Sequence, residues 1–193
     1  RAQLTAGTTW HAAGLVEAGG FFSETDINLA IYTRKLYQEL EAETGQSTGY
    51  RSVGYLEFAT HPDRLEMMRR VAAFDRQFGI EIQELSPGEV KNKWPLAFTK
   101  DIIAGFFSPG DGRVNPVDVT MALAKGARTG DALFFEGIGV TGVTQENGRV
   151  SGVTTTQGNI QADYVVNCAG MWARQVGKMA GVSVPLQAME HYY

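Results

Sequence analysis

The chain has 193 residues, 44% of them hydrophobic and 20% charged, which is ordinary globular composition and enough length to bury a core. Its 17 Lys and Arg are scattered among 21 Asp and Glu for a net charge of −4, which excludes a phosphate-binding nucleic-acid face and favours small-molecule ligands. The one cysteine, Cys168, excludes an internal disulfide and a cysteine-based metal site and fits a reducing compartment, and no apolar run reaches the roughly 18 residues of a membrane span.

In chain order, Ser23-Glu24-Thr25-Asp26 predicts a helix start, with a serine cap and an acid in the positive first turn. The helix runs to about Thr44, where Gly45 stops it, with Leu29, Tyr32, Leu36 and Leu40 on its apolar face. Residues 51–60, RSVGYLEFAT, alternate through Val53, Tyr55 and Phe58 as a strand does. Thr60-His61-Pro62-Asp63 opens a second helix that ends at Gly79, with His61 solvated ahead of it. Ser86-Pro87-Gly88-Glu89 and Asn115-Pro116-Val117-Asp118 share one device, a polar cap, a proline at the first helical position and an acid at the third, so each predicts a further helix. Between them IIAGFFSPGDGRVNP predicts a buried strand running into a tight turn at Pro109-Gly110-Asp111-Gly112.

After Gly130 the pattern turns β-rich: residues 140–144, a turn at Asn147-Gly148, residues 150–155, a turn at Gln157-Gly158, then ADYVVNCAG as a strand holding Cys168 as a small core residue, and a last helix near Trp172. Helices mixed with strands, without strict βαβ alternation, predict a mixed α/β (α+β) protein with more than one sheet.

Residues 137–142, GIGVTG, match G-x-G-x-x-G letter for letter. That motif needs a helix after the glycines to receive a pyrophosphate on its N-terminus, whereas here the following residues alternate toward an Asn-Gly turn. The stretch therefore reads as a hairpin. In VVNCAGMWARQVG an apolar strand enters Ala169-Gly170 and then a helix; small residues there allow a ligand close to the backbone, or simply a tight packing corner.

Taken together, QLTAGTTWHAAGL, LYQELEAETGQSTGY, SPGDGRVNPVDVTMALAKGAR and YVVNCAGMWARQVGKMAGV closely resemble the dimethylglycine and sarcosine dehydrogenase group of flavoproteins, within the D-amino-acid-oxidase-like superfamily. The resemblance covers nearly the whole chain. It implies an FAD-binding Rossmann-like domain of that type, incomplete because the first strands and the glycine-rich loop are missing, interleaved with part of a substrate domain. Residues 1–48 and 110–186 then belong to the FAD-binding domain, and residues 49–109 and 187–193 to the substrate domain. The chain would be an internal fragment, inactive alone.

On residue type alone His11 is a packed or solvated histidine. The resemblance makes it the residue that carries FAD covalently on the 8-methyl carbon, and the chemistry suits it, because an imidazole of unperturbed pKa near 6.5 is largely a neutral nucleophile at physiological pH. It places Leu4, Thr5, Gly7, Thr8, Thr9 and Trp10 against the cofactor as well. Val140 matches a position whose backbone contacts the adenine end, and Ala169, Gly170 and Trp172 match a second FAD-contacting crossover. His191 and Tyr193, in MEHYY, match a region facing substrate over the flavin, where His191 would handle a proton; on residue type alone they read equally as a strand end.

The implied activity is FAD-dependent oxidation of a small N-methyl amine, dimethylglycine or sarcosine, by a flavoprotein of one-carbon metabolism. The carbon leaves as formaldehyde or passes to tetrahydrofolate in a further C-terminal module. The electron acceptor is an electron-transfer flavoprotein or oxygen, and the location is the mitochondrial matrix or a bacterial cytoplasm. No metal, nucleic-acid or membrane partner is expected. The rival is a non-catalytic regulatory paralogue, similar to the pyruvate dehydrogenase phosphatase regulatory subunit.

Overall fold

The computed structural model describes residues 3–190, so His191 and Tyr193 lie outside the described residues. The chain divides into two compact units, residues 7–133 and residues 134–190 with 3–6.

The unit of residues 7–133 contains, in order, a 3-10 turn Thr9–His11, β1 (Leu15–Val16), α1 (Glu24–Thr44), β2 (Tyr55–Ala59), α2 (Pro62–Arg76), β3 (Gln83–Leu85), α3 (Pro87–Lys93), β4 (Ala104–Ser108), β5 (Gly112–Arg113) and α4 (Pro116–Thr129). The helix starts follow their caps. Ser86 and Glu89 form a reciprocal capping box, and Asn115 Oδ1 accepts from the Val117 and Asp118 N–H groups at 3.0 and 3.4 Å. His61 is itself a cap, its Nδ1 accepting from the Asp63 N–H at 3.3 Å while the ring stays exposed. Helix α2 stops three residues short of Gly79, because residues 77–79 tighten into a turn that closes on Gly79 at φ +76°.

Strands β2, β4 and β3 form an antiparallel sheet in that order. The register Tyr55↔Ser108, Glu57↔Phe106 and Ala59↔Ala104 puts these six residues on one face, since directly paired residues point the same way. Met68 and Ala72 of α2 pack there with Ala59, Ala104 and Phe106. The opposite face carries Leu56, Phe58 and Phe107, packed with Leu85, Val90, Ala97 and Ile102. A sheet covered on both faces loses the polar alternation that marks a half-buried strand. That is why the pattern through Val53, Tyr55 and Phe58 misleads: Tyr55 and Phe58 face opposite ways, and Val53 is exposed beyond the strand.

Helix α1 also differs from its sequence reading. Leu29 and Tyr32 are exposed, and the inward stripe is Ile27, Ile31 and Arg34, spaced i, i+4, i+7, with Leu40 buried further along. Ile27 is fully buried with Ala18 and Ile80, and Ile31 packs beside them. Arg34 is turned inward by a carboxylate: its Nη1 donates to Asp111 Oδ1 at 2.8 Å, and the Ala18 N–H donates to the same oxygen at 3.1 Å. The Asp111 carbonyl accepts from the Gly54 N–H at 2.8 Å. One buried residue in the turn after β4 thus ties α1, the segment after β1 and the entry to β2.

In the second unit β6 (Val140–Glu146), β7 (Arg149–Thr155) and β8 (Gly158–Gln161) form an antiparallel meander, followed by a 3-10 turn Gly170–Trp172 and α5 (Ala173–Met179). Residues 137–142 therefore enter a hairpin, whose turn has Asn147 and Gly148 at φ +51° and +76°. The strand expected over ADYVVNCAG does not form. The Ala162 N–H still donates to the Ser151 carbonyl of β7 at 3.1 Å, but none of the described strands pairs with residues 163–168, and Tyr164, Val166 and Cys168 are exposed, so Cys168 is not a core residue here.

Asp111→Ala should destabilise the fold by about 3 kcal/mol in equilibrium denaturation, because it strands a largely buried guanidinium and a buried N–H together. Asp111→Asn, which keeps an acceptor oxygen, should lose less. Equal stability of wild type and Asp111→Ala would remove this residue from its structural role.

Candidate functional site

The run that sequence reasoning singles out forms a tight turn at the surface of the first unit. The His11 N–H donates to the Thr8 carbonyl and the Ala12 N–H to the Thr9 carbonyl, both at 3.1 Å, closing the 3-10 turn Thr9–His11. His11 is exposed, and its imidazole lies on the Trp10 indole with ring centroids 3.6 Å apart and planes inclined by 32°. Trp10 is itself 61% exposed. An aromatic pair left at the surface has given up burial, so one ring face and the imidazole edge remain open to a flat partner.

The turn is anchored just downstream. Gly14 has φ +75°, and a Cβ there would come within 2.4 Å of the Val114 carbonyl oxygen, so only glycine fits. The Gly14 carbonyl in turn accepts from the Val114 N–H at 2.8 Å. Ala12 and Gly14 border an apolar cavity of about 290 Å³ whose walls include Tyr37, Val119 and Leu123.

Gly7, Thr8, Thr9, Trp10 and His11 all belong to this unit, whereas Leu4 and Thr5 group with the second. There the Leu4 N–H donates to Glu136 Oε1 at 2.6 Å, and Thr5 holds an unusual φ of +66°. Val140 opens β6 opposite Thr155, half exposed and next to a register shift. Ala169 and Gly170 lead into the 3-10 turn ahead of α5, with Gly170 at φ +54° and open space where a Cβ would stand. Trp172 is 40% exposed. Sequence reasoning missed Asn167, whose Oδ1 accepts from the Ala169 N–H at 3.3 Å and whose Nδ2 donates to the Ala173 carbonyl at 2.9 Å, clamping this crossover from both sides. Its signal was an Asn two residues before a turn, the usual spacing of an Asx turn.

The first unit holds a second concavity, about 170 Å³, between the α2-facing side of the sheet and the segment after β1. Glu17, Glu57, Asp75 and Asp111 all line it, with Tyr55 and Ser108. Burial pushes the Asp75 and Glu17 carboxyls above the usual carboxylate range, and the Asp111 charge adds to both; for Asp75 the hydrogen bond from the Gly20 N–H and the Arg76 charge oppose the rise. Burial, followed by the Glu17 charge, raises the Tyr55 phenol as well. Neither this cavity nor its carboxylates were visible in the sequence, because their residues come from five separate segments.

Residues 1–193 match the family described as FAD dependent oxidoreductase. The chain is 41% identical to the mitochondrial sarcosine dehydrogenase of Homo sapiens and 37% identical to the mitochondrial dimethylglycine dehydrogenase of Homo sapiens, in each case over all of this chain and 22% of the relative. It is 35% identical to the mitochondrial pyruvate dehydrogenase phosphatase regulatory subunit of Mus musculus, over 99% of this chain and 22% of that protein. The chain thus spans about a fifth of the length of these relatives. Among solved structures, the L-proline dehydrogenase of P. horikoshii superposes with a TM-score of 0.85 at 27% identity, over 92% of this chain and 46% of that one. With a family match over its whole length and a mixed α/β fold shared with such enzymes, the chain belongs to the FAD dependent oxidoreductase family.

Proposed function

We propose that this chain is part of an amine dehydrogenase that oxidatively demethylates an N-methylated glycine, sarcosine or dimethylglycine, and that it carries its FAD covalently on His11. The observation that carries the reading is the Thr-Trp-His-Ala-Ala-Gly run folded as an exposed turn with its imidazole against Trp10, in a chain 41% identical to a sarcosine dehydrogenase.

The residues present fit a flavin on two counts. The His11 side chain is exposed and is followed by small, exposed Ala12 and Ala13, with the Trp10 ring packed against it. Gly170, with positive φ and open space around it, gives a phosphate or sugar access to the backbone at a turn that Asn167 holds rigid. When bound, FAD supplies the acceptor for a hydride equivalent.

The chain's own residues do the rest. His11 tethers, Trp10 limits the imidazole to one orientation, and Leu4, Thr5, Gly7, Thr8 and Thr9 border the same cofactor. Val140, Ala169, Gly170 and Trp172 receive its remote part. His191 takes the proton that frees the amine lone pair and Tyr193 orients the substrate. The division into an FAD-binding part, residues 1–48 and 110–186, and a substrate part, residues 49–109 and 187–193, belongs to this proposal. So do an electron-transfer flavoprotein as acceptor, tetrahydrofolate as carbon acceptor in a further module, and a place in the mitochondrial matrix or a bacterial cytoplasm. Among the described residues no helix is long and apolar enough to cross a membrane.

A regulatory role is the second reading, favoured by the 35% identity to the phosphatase regulatory subunit; a colourless full-length protein would support it. The enzyme reading predicts that denatured protein keeps flavin fluorescence on a gel and that His11→Ala loses it, while fluorescence persisting in the variant would contradict attachment there. It also predicts that His191→Ala slows anaerobic flavin reduction at least about a hundredfold at unchanged flavin content and removes a pH limb in the neutral range. An unchanged rate and pH profile per bound flavin would take His191 out of the reaction.

A further inference from the structure

Two buried acceptors in the acidic cavity have no hydrogen-bond partner: Asp75 Oδ1 and Ser108 Oγ. Asp75 is 1% exposed and Ser108 4%, so neither loses its partner to bulk water, and leaving such groups unpaired typically costs about 1–3 kcal/mol each. Both line the cavity. Of its four carboxylates, two already have a cationic partner, Asp111 in Arg34 at 2.8 Å and Glu57 in Arg64. Glu17 and Asp75 have no ion pair within hydrogen-bonding reach among the described residues; Arg76 acts on Asp75 only through its more distant charge. The cavity therefore holds two carboxyls without an ion-pair partner together with two unused buried acceptor atoms.

We propose that this cavity binds a small organic ammonium ion, with its N–H donors on Asp75 and Ser108, its charge balanced by Asp75 and Glu17, and its alkyl part against Met68, Ala72 and Phe106. A metal ion fits less well, because no three His, Cys, Asp or Glu among the described residues are grouped to hold one, and the lining also includes the apolar Met68, Ala72, Ile82 and Phe106. At roughly 30 Å³ per water of liquid, about 170 Å³ leaves room for a few non-hydrogen atoms and excludes a large ligand. The site is separate from His11: its lining includes none of residues 4–12. It does not depend on the redox reading.

Proton linkage gives the proposal a sign. Binding needs the Asp75 carboxylate, whose titration is lifted by burial and by the Asp111 charge and opposed by the Gly20 N–H and Arg76. Affinity should thus fall on acidification, starting above the usual carboxylate range. Without ligand, a raised folded-state pKa favours the folded protein in acid and weakens it as pH rises past the unfolded value. Asp75→Asn should accordingly fold and melt at or above the wild-type temperature at pH 7.

The test measures thermal melts and calorimetric titrations of the full-length protein with dimethylammonium chloride against sodium chloride at equal ionic strength. The wild type should show a saturable rise in Tm with dimethylammonium alone, and Asp75→Asn and Glu17→Gln should each weaken binding at least tenfold. An equal response to sodium, no saturable response, or unchanged affinity in Asp75→Asn would overturn the proposal. A response lost in His11→Ala but intact in Asp75→Asn would assign the ammonium to the flavin site, and would overturn it equally.

Discussion

The buried Asp111 carboxylate is the constraint on which the first unit depends. Strands β1 and β5 are two residues each, so their backbone ladder is too short to hold the N-terminal segment alone. Asp111 supplies the missing anchor: a charge-assisted bond from Arg34 of α1, a second bond from the Ala18 N–H, and a carbonyl that receives the Gly54 N–H. The two bonds to the carboxylate contribute about 1.5–3 kcal/mol each and the backbone bond about 0.5–1.5 kcal/mol, but only because the partners are held where they can meet. Glycine makes the approach possible, since a Cβ on Gly112 would fall 2.2 Å from the Arg51 carbonyl oxygen.

From that anchor the geometry follows in two directions. Backward along the chain, the Gly14–Val114 bond fixes the end of the His11 turn against the segment that leads into α4. The turn is closed by backbone hydrogen bonds, yet it exposes its two rings, an arrangement that spends no core-forming side chain on its own stability. Forward, the same carboxylate closes one wall of the acidic cavity, and its charge adds to the burial that raises the neighbouring Glu17 and Asp75 carboxyls. Fold anchor and cavity electrostatics are therefore one residue's work: Asp111→Ala would remove like-charge repulsion from the cavity while loosening its wall.

What the sequence made legible was local. Caps with a proline and an acid behind them, at Ser86 and Asn115, marked helices whose starts the structure reproduces, because a cap needs only three or four consecutive residues. The Asn147-Gly148 turn likewise distinguished a hairpin from a dinucleotide loop, since φ is positive at both positions. What depended on long-range partners was not legible. The short strands β1, β3 and β5 exist because distant segments pair with them, and β2 hides its period because α2 and α3 cover both faces. The apolar stretch before Ala169 reads as a strand by composition, but a strand is a property of two segments, and none of the described strands pairs with it. For the site, the run around His11 was legible through its family likeness and Asn167 was not, because its clamp spans a turn whose shape the residues alone do not reveal. The cavity at Asp75 was invisible for the same reason as Arg34: a charged residue on an amphipathic helix reads as solvated until its partner, 77 residues away, is known.

The central claim is that the Trp10-His11 turn is a point of covalent flavin attachment, and the most direct measurement is tandem mass spectrometry of a tryptic digest of the flavin-loaded protein. Residues 2–34 form a single tryptic peptide in which His11 is the one histidine, and the sole cysteine, Cys168, lies elsewhere, so fragment ions need only separate a flavin on His11 from one on the Tyr32 phenol. The account predicts that the peptide carries the mass of FAD, or of its FMN remnant, on His11. Recovery of the peptide wholly at its unmodified mass, with the flavin released by denaturation, would contradict it.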